Sequence, residues 1–407
     1  MEVLYESVVF LIINQLVISI FCIFSDQKMM SLMAEQHEKE FNLEFDNFTN
    51  PKLVPSKKDL QGSFDGLLRI HKVYNLNPYD IANGVINYSN DNLIKKSEAE
   101  MNADECLTMA NLANKSRNYD EARLWCKEVY RKHEKDQSVT LNEIKKVCEN
   151  IKNVKTEAPT FDSVYYNYAT LCQGQDFTSA KKKSKLKCYY KKGDKSYFRL
   201  KQIKVEELYK NPPVFLFHDV ISDREIEELK NISKNNFERS KVLHPNGSKE
   251  SNHRVSKVSW VEHDYNNLTR RLIKRFEEVS GLSAESAESF QIQNYGLGGQ
   301  YEPHTDHFNR DEKYFGKRGN RIATWLTYLN NVEAGGYTVF PRLGIGVRPQ
   351  KGSALFWYNL DKSGEGIKIT LHAACPVLLG TKWAANIWFR ERGQEFIRPC
   401  GLKFLEK

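Results

Sequence analysis

The chain opens on a nearly continuous apolar run, Val8 to Phe24 (VVFLIINQLVISIFCIF), and turns polar, with scattered Leu and Phe, over residues 27 to 65. The run is short and N-terminal, so it reads as a signal peptide, with an uncleaved signal anchor as the alternative. Glu2 and Glu6 precede it without any Lys or Arg, and no small-x-small cleavage site follows. Between Leu67 and Tyr79 the pattern fits helix or loop. From Asn102 the signal sharpens: Asn102 with Glu105 and Asn118 with Glu121 stand at capping-box spacing and predict two helices separated by a Ser-Arg-Asn turn. Ala122, Trp125, Cys126 and Val129 recur at i, i+3, i+4, i+7, which predicts an antiparallel helical hairpin of tetratricopeptide (TPR) size. The stripe is read first as core, although the same spacing can present Trp125 to a ligand. One hairpin does not bury its face alone, so it needs neighbours such as residues 139 to 152.

Past Pro213 the texture changes. Ser222 with Glu225 caps a short helix, and Leu268, Leu272, Phe276 and Val279 mark an amphipathic helix ended at Gly281. Runs rich in β-branched and aromatic residues then follow: Phe290 to Tyr295, Arg321 to Leu329, Tyr337 to Phe340, Ala354 to Tyr358 and Trp383 to Phe389. Short strands divided by Gly- and Pro-bearing turns predict a two-sheet jelly roll, so the fold class is α+β and multidomain.

With 407 residues, 28% of them charged and 40% hydrophobic, the chain is long enough for two or three domains with cores of their own. The net charge of +8 is partly local, gathered between Lys181 and Lys195. That lysine run lies between Cys172 and Cys188, and it reads as a solvated basic loop closed by a disulfide worth on the order of 3 kcal/mol. Basic residues among tyrosines also suit nucleic acid, but the apolar leader argues against such a partner. So do Asn-x-Ser/Thr sequons at Asn47, Asn87, Asn114, Asn231, Asn246 and Asn267. They point to the secretory pathway, with a membrane involved only if the leader is uncleaved. Of eight cysteines Cys22 lies in the leader, leaving an odd seven. No KDEL-type tetrapeptide ends the chain, so retention in the endoplasmic reticulum lumen is expected to need a partner or anchor.

The candidate chemistry centres on His304-Thr305-Asp306. In a strand, positions i and i+2 point to one face, so an imidazole and a carboxylate converge. A second histidine from another strand completes the two-His, one-carboxylate set that leaves adjacent iron positions open, and His372 is the best candidate. Lys382, ten residues beyond His372, is placed to bind the distal carboxylate of 2-oxoglutarate through a charge-assisted bond. His307, at odd offset from His304, faces the other way and is read as structural or substrate-side.

The segments YGLGGQYEPHTDHF, GNRIATWLTYLN, AGGYTVFPRLGIGVRPQKGSALFWYNL and HAACPVLLGTKWAANIWFRERGQEFIRPC closely resemble the catalytic region of collagen prolyl 4-hydroxylase alpha subunits, over about residues 210 to 400. The resemblance implies a double-stranded β-helix oxygenase that hydroxylates proline in collagen-like or other Pro-rich secretory peptides, using Fe(II), 2-oxoglutarate, O2 and ascorbate. It implies iron ligation by His304, Asp306 and His372, and 2-oxoglutarate binding by Lys382 and Tyr295. Trp388 and Arg321 match substrate-side positions, with core packing as the alternative for Trp388. Tyr119 and Trp125 survive from the family's peptide-binding helices. Disulfides are implied between Cys172 and Cys188 and between Cys375 and Cys400, leaving Cys106, Cys126 and Cys148 unassigned. Protein disulfide isomerase is the implied partner, in an assembly of two alpha and two isomerase chains. The helix expected over Val139 to Ile151 lacks the family's tyrosine row, which leaves the substrate open between collagen and another Pro-rich protein. A lumenal peptide-binding subunit with weak catalysis is the alternative function. The expected layout is a leader (1–26), an N-terminal region (27–98), TPR-like peptide-binding helices (99–160), a linker with a disulfide loop (161–210) and the oxygenase domain (211–407).

Overall fold

The structure, a computed structural model, describes residues 57–88, 93–97, 99–152, 154, 163–193, 201–242, 249–308 and 313–400. The leader and the sequons at Asn47 and Asn246 lie outside these residues. The chain divides into two compact units, residues 1–160 and 161–407.

The described part of the first unit holds helices α1 (Lys57–Tyr74), α2 (Pro78–Ala82), α3 (Ala103–Lys115), α4 (Tyr119–His133) and α5 (Leu141–Lys152), with one antiparallel hairpin of β1 (Val85–Tyr88) and β2 (Leu93–Lys96). Asn102 forms the expected capping box: its Oδ1 accepts from the Glu105 amide and Glu105 Oε2 accepts from the Asn102 amide, both at 2.8 Å. Asn118 does not. Its backbone sits at φ −89°, ψ 70°, outside the extended geometry of a cap, and its Oδ1 accepts from Lys72 Nζ at 3.5 Å instead. Ala122, Trp125 and Val129 are completely buried, with Cys126 nearly so. Trp125 Nε1 donates to His71 Nδ1 at 3.3 Å, and burial pushes the His71 imidazole down to about 4, which keeps it a neutral acceptor. Trp125 is therefore core and offers no face to a peptide, which corrects its candidate substrate role; Tyr119 is half-buried.

The second unit carries α6 (Ser163–Cys172), α7 (Ala180–Lys183), β3 (Cys188–Lys191), β4 (Ile203–Lys210), β5 (Pro213–His218), α8 (Asp223–Lys234), β6 (Glu238–Arg239), β7 (Arg254–Val255), β8 (Lys257–Val261) and α9 (Asn267–Ser280). The later strands are β9 (Phe290–Tyr295), β10 (Gln300–His304), β11 (Arg321–Tyr328), β12 (Thr338–Phe340), β13 (Ile345–Val347), β14 (Ala354–Tyr358), β15 (His372–Ala374) and β16 (Lys382–Arg390). They form a nine-stranded sheet, ordered β3-β4-β5-β14-β11-β16-β9-β8-β6, and a five-stranded sheet, ordered β13-β12-β15-β10-β7. The result is a mixed helix-and-sheet unit with a jelly-roll-like core.

Alternation along the central strands builds two hydrophobic layers. Trp325, Ile387 and Phe389 pack with Leu268, Leu272, Phe276 and Val279 of α9 and with Ile226 and Leu229 of α8. The other face of the same sheet supplies Leu326, Tyr328, Leu355, Trp357 and Ala384, which pack with Phe340, Ile345 and Val347 of the smaller sheet. Being buried on both faces is why β11 reads as a near-continuous apolar run. Both expected helices are present: Ser222 and Glu225 form a capping box on α8, and α9 ends on Gly281 at φ +79°, the left-handed position glycine adopts without penalty.

Two expectations are corrected here. Segment 161–210 is not a linker: β4 pairs with β5, and Ile203 and Val205 enter the core. The cysteine pairing also differs. Cys172 bonds Cys375 with Cα atoms 5.5 Å apart, and Cys126 bonds Cys148 at 5.7 Å, whereas Cys188 and Cys400 are exposed thiols. The reason is packing: α6 lies against β12 and β13, which brings its last residue to the end of β15, while Cys188 stands on the edge strand β3 opposite Glu206. Cys106 is a buried thiol that burial pushes up to about 12.

Candidate functional site

The site forms where β10 and β15 pair. Register sets His304 opposite His372, and Asp306 follows two residues beyond His304, just past the end of β10. One ligand atom from each of the three residues lies within 4.8 Å of the others, the one such group among the described residues. His304 Nε2 is 3.7 Å from Asp306 Oδ1, and His372 Nε2 is 3.5 Å from Asp306 Oδ2. Each imidazole donates its Nδ1–H to a carbonyl two residues upstream: His304 to Glu302 at 2.7 Å, His372 to Thr370 at 3.1 Å. A carbonyl only accepts, so the tautomer is fixed with the Nε2 lone pairs turned inward, the arrangement of metal-bound histidines.

Electrostatics agree. Burial, helped by neighbouring His372, pushes His304 down to about 3, so it is a neutral imidazole. Burial alone would raise the Asp306 carboxyl, but His372, His304 and Arg321 and a hydrogen bond from Thr324 hold it well below the usual carboxylate range. A neutral His304 imidazole beside an ionised carboxylate, with His372 Nε2 turned to the same point, fits a divalent cation. His307 lines the adjoining cleft but is not one of the three; its ring packs on Gly366, where a Cβ would clash with it.

Lys382 is 2% exposed, and Tyr295 stands opposite it across the β9–β16 pair. Its Nζ donates to Thr338 Oγ1 at 3.2 Å, with the rings of Tyr295 and Tyr328 5.7 and 5.6 Å away. Tyr328 donates its hydroxyl to the same Thr338 oxygen at 2.8 Å. Among the described residues no carboxylate offsets the burial of Lys382, which pushes it down to about 7. A buried cation with no internal anion is suited to an anionic ligand. The Tyr295 hydroxyl donates to Gln293 Oε1 at 2.7 Å.

A cleft of about 1010 Å³ opens over the cluster. Arg321 stacks over the Trp388 ring at 3.8 Å and pairs with Glu288 at 2.6 Å, while Arg390 reaches the same carboxylate at 2.8 Å. Trp388, 3% exposed, is packed and also lines the cleft. Trp260 and Tyr301 also line it, neither of which sequence reasoning singled out. Tyr301 stacks on His304 at 3.5 Å, and the Arg254 guanidinium lies over the Tyr301 ring at 4.8 Å. Thr338, Tyr328, Thr324 and Asn359 were missed as well. Each is a polar residue within an apolar run or at its end, a pattern that carries no signal until register shows what it faces.

Residues 290–390 match the 2OG-Fe(II) oxygenase superfamily, and residues 24–88 match the prolyl 4-hydroxylase alpha-subunit N-terminal region. The chain is 31% identical to prolyl 4-hydroxylase subunit alpha-2 of Gallus gallus, covering 86% of this chain and 77% of that one. It is 33% identical to subunit alpha-2 of Caenorhabditis elegans over 86% and 74% of the two chains. With human subunit alpha-1 identity rises to 46% but covers 59% of this chain and 46% of that one. Among solved structures, the viral collagen prolyl hydroxylase from Paramecium Bursaria Chlorella virus-1 is 27% identical over 44% of this chain and 95% of that one, with a TM-score of 0.36. With a complete two-His, one-carboxylate cluster and relatives matched along most of their length, the chain belongs to the prolyl 4-hydroxylase alpha-subunit family.

Proposed function

We propose that this chain 4-hydroxylates prolyl residues in collagen-like or other Pro-rich peptides, with His304, Asp306 and His372 holding Fe(II) and Lys382 holding 2-oxoglutarate. The observation that carries this is the pair of imidazoles whose Nδ1 atoms are both tied to carbonyls, leaving two Nε2 lone pairs and one buried carboxylate aimed at one point. The bound iron and keto acid supply the oxidation: 2-oxoglutarate and O2 become succinate and CO2, and one oxygen atom enters the substrate as a hydroxyl group.

The chain's own residues bind, orient and exclude water. His304, Asp306 and His372 would hold the metal through three protein atoms, a set that would leave room beside it for the keto acid and O2. Lys382 meets the distal carboxylate with its ammonium, and Thr338 and Tyr328 fix the direction from which it is presented. The part of Trp388 that reaches the cleft, with its ring held by Arg321 and Glu288, forms a rigid wall for the prolyl ring. No protein acid or base is required, and ascorbate, typical of the family, would keep the iron reduced.

The helices from α3 to α5 are read as the TPR-like peptide-binding part, with Tyr119 as the candidate contact retained after Trp125 is assigned to the core. Protein disulfide isomerase as partner, a tetramer of two alpha and two isomerase chains, and the endoplasmic reticulum lumen are the setting that family membership supports. Two intramolecular disulfides and exposed sequon residues at Asn87, Asn231 and Asn267 agree with that setting. The test is 2-oxoglutarate turnover by the chain co-expressed with the isomerase, using (Pro-Pro-Gly)-type and other Pro-rich peptides, beside His304→Ala. Equal peptide-coupled turnover in both proteins sinks the assignment.

A further inference from the structure

The Asp306 carboxylate is fixed by a side-chain relay from the larger sheet. Thr324 Oγ1 donates to Asp306 Oδ2 at 2.6 Å, and Asn359 Nδ2 donates to Thr324 Oγ1 at 2.8 Å. Thr324 lies in β11, and Asn359 follows β14, the strand paired with it. All three side chains are shut off from water: Asp306 is 5% exposed, Thr324 0% and Asn359 1%.

The direction of this relay is determined by proton count. An ionised carboxylate only accepts, and a threonine hydroxyl has one proton. If Asn359 presented its carbonyl to Oγ1, that single proton would face two acceptors and one buried lone pair would oppose another. With the amide nitrogen inward, Oγ1 accepts from Asn359 and its single proton is committed to Asp306.

A carboxylate binds a cation through one oxygen or through both. Two-oxygen binding would take a position that the keto acid and O2 need. We infer that Thr324, set by Asn359, is a positioning residue that reserves Oδ2 for a hydrogen bond and holds Asp306 as a one-oxygen ligand. Distance to the imidazoles does not choose between the two oxygens, Oδ1 lying 3.7 Å from His304 Nε2 and Oδ2 3.5 Å from His372 Nε2; the Thr324 hydrogen bond on Oδ2 does, and it leaves Oδ1 for the metal. The inference rests on the metal-centre reading above.

The experiment uses the full chain freed of metal. Co(II) affinity is measured by its visible d–d absorption. Separately, Fe(II) and 2-oxoglutarate are added without oxygen and the charge-transfer absorption of the chelated keto acid is followed. Thr324→Val, nearly isosteric, is expected to keep Co(II) affinity within about threefold while weakening 2-oxoglutarate binding by roughly tenfold or more; Thr324→Ser restores it to within about twofold. Asn359→Leu, which leaves the hydroxyl free to rotate, is expected to give a smaller loss of the same sign and provides the measurement if Thr324→Val does not fold. Wild-type keto-acid affinity and spectrum in folded Thr324→Val or, should that variant not fold, in Asn359→Leu, overturn the relay alone. Failure of the wild-type chain to bind Co(II) more tightly than His304→Ala overturns the metal-centre reading and the relay with it.

Discussion

His304 and His372 stand directly opposite each other in the β10–β15 pair, ring centroids 4.3 Å apart, each with its Nδ1–H held by a carbonyl of its own segment. Orientation is thus set twice, by strand register and by backbone hydrogen bonds, before any metal arrives. Removing either ring should cost more than an outer-shell change. His304→Ala and His372→Ala are each expected to lower Co(II) affinity by at least about a hundredfold and to abolish peptide-coupled turnover. Equilibrium dialysis of the purified variants measures the first directly. A variant that retained wild-type metal affinity would remove that histidine from the ligand set.

Lys382 supplies a pH dependence with a definite sign. Its folded value of about 7 lies far below its ordinary 10.5, so between those limits the unfolded chain binds more protons and the unliganded protein gains stability as pH rises. The keto-acid dianion favours the ammonium form. Binding should therefore weaken as pH climbs through 7, and at pH 8 it should draw in close to one proton. Titration calorimetry in buffers of different ionisation heat reads that uptake. Lys382→Met should abolish it, lose 2-oxoglutarate affinity and stabilise the unliganded fold. An uptake unchanged in Lys382→Met would assign the proton to another group.

The cysteine pairing is checked by peptide mapping under non-reducing conditions. Linked peptides are expected for Cys126–Cys148 and Cys172–Cys375, with Cys106, Cys188 and Cys400 free to alkylate once unfolded. The first bond closes a segment with a sequence separation of 22, so replacing both Cys126 and Cys148 by Ser should destabilise the first unit by about 3 kcal/mol. A Cys172–Cys188 peptide would restore the pairing that family resemblance implies.

Trp125 separates core from ligand surface in the first unit. It is completely buried and hydrogen-bonded to His71, so Trp125→Ala should destabilise that unit by about 3–5 kcal/mol in denaturant melts. Trp125→Phe should recover most of this while leaving Pro-rich peptide affinity within about twofold. A large loss of peptide binding in folded Trp125→Phe would return the residue to the ligand face.

The amino-acid sequence alone determined what short-range rules encode. Asn102 with Glu105 and Ser222 with Glu225 cap helices because a side chain reaches an amide three residues away. Gly281 stops α9 because it adopts φ +79° freely. His304 and Asp306 converge because they are two residues apart near a strand end. Asn118 failed the same local rule: its backbone stands at φ −89°, ψ 70°, outside cap geometry, and its oxygen meets Lys72, distant in sequence. Tertiary structure alone decided that His372 faces His304, that Thr324 and Asn359 hold Asp306, that Thr338 and Tyr328 cradle Lys382, and that Cys172 meets Cys375. These partners are set by strand register and helix docking between segments far apart in the chain, and no local periodicity records which buried polar side chain will stand across from which.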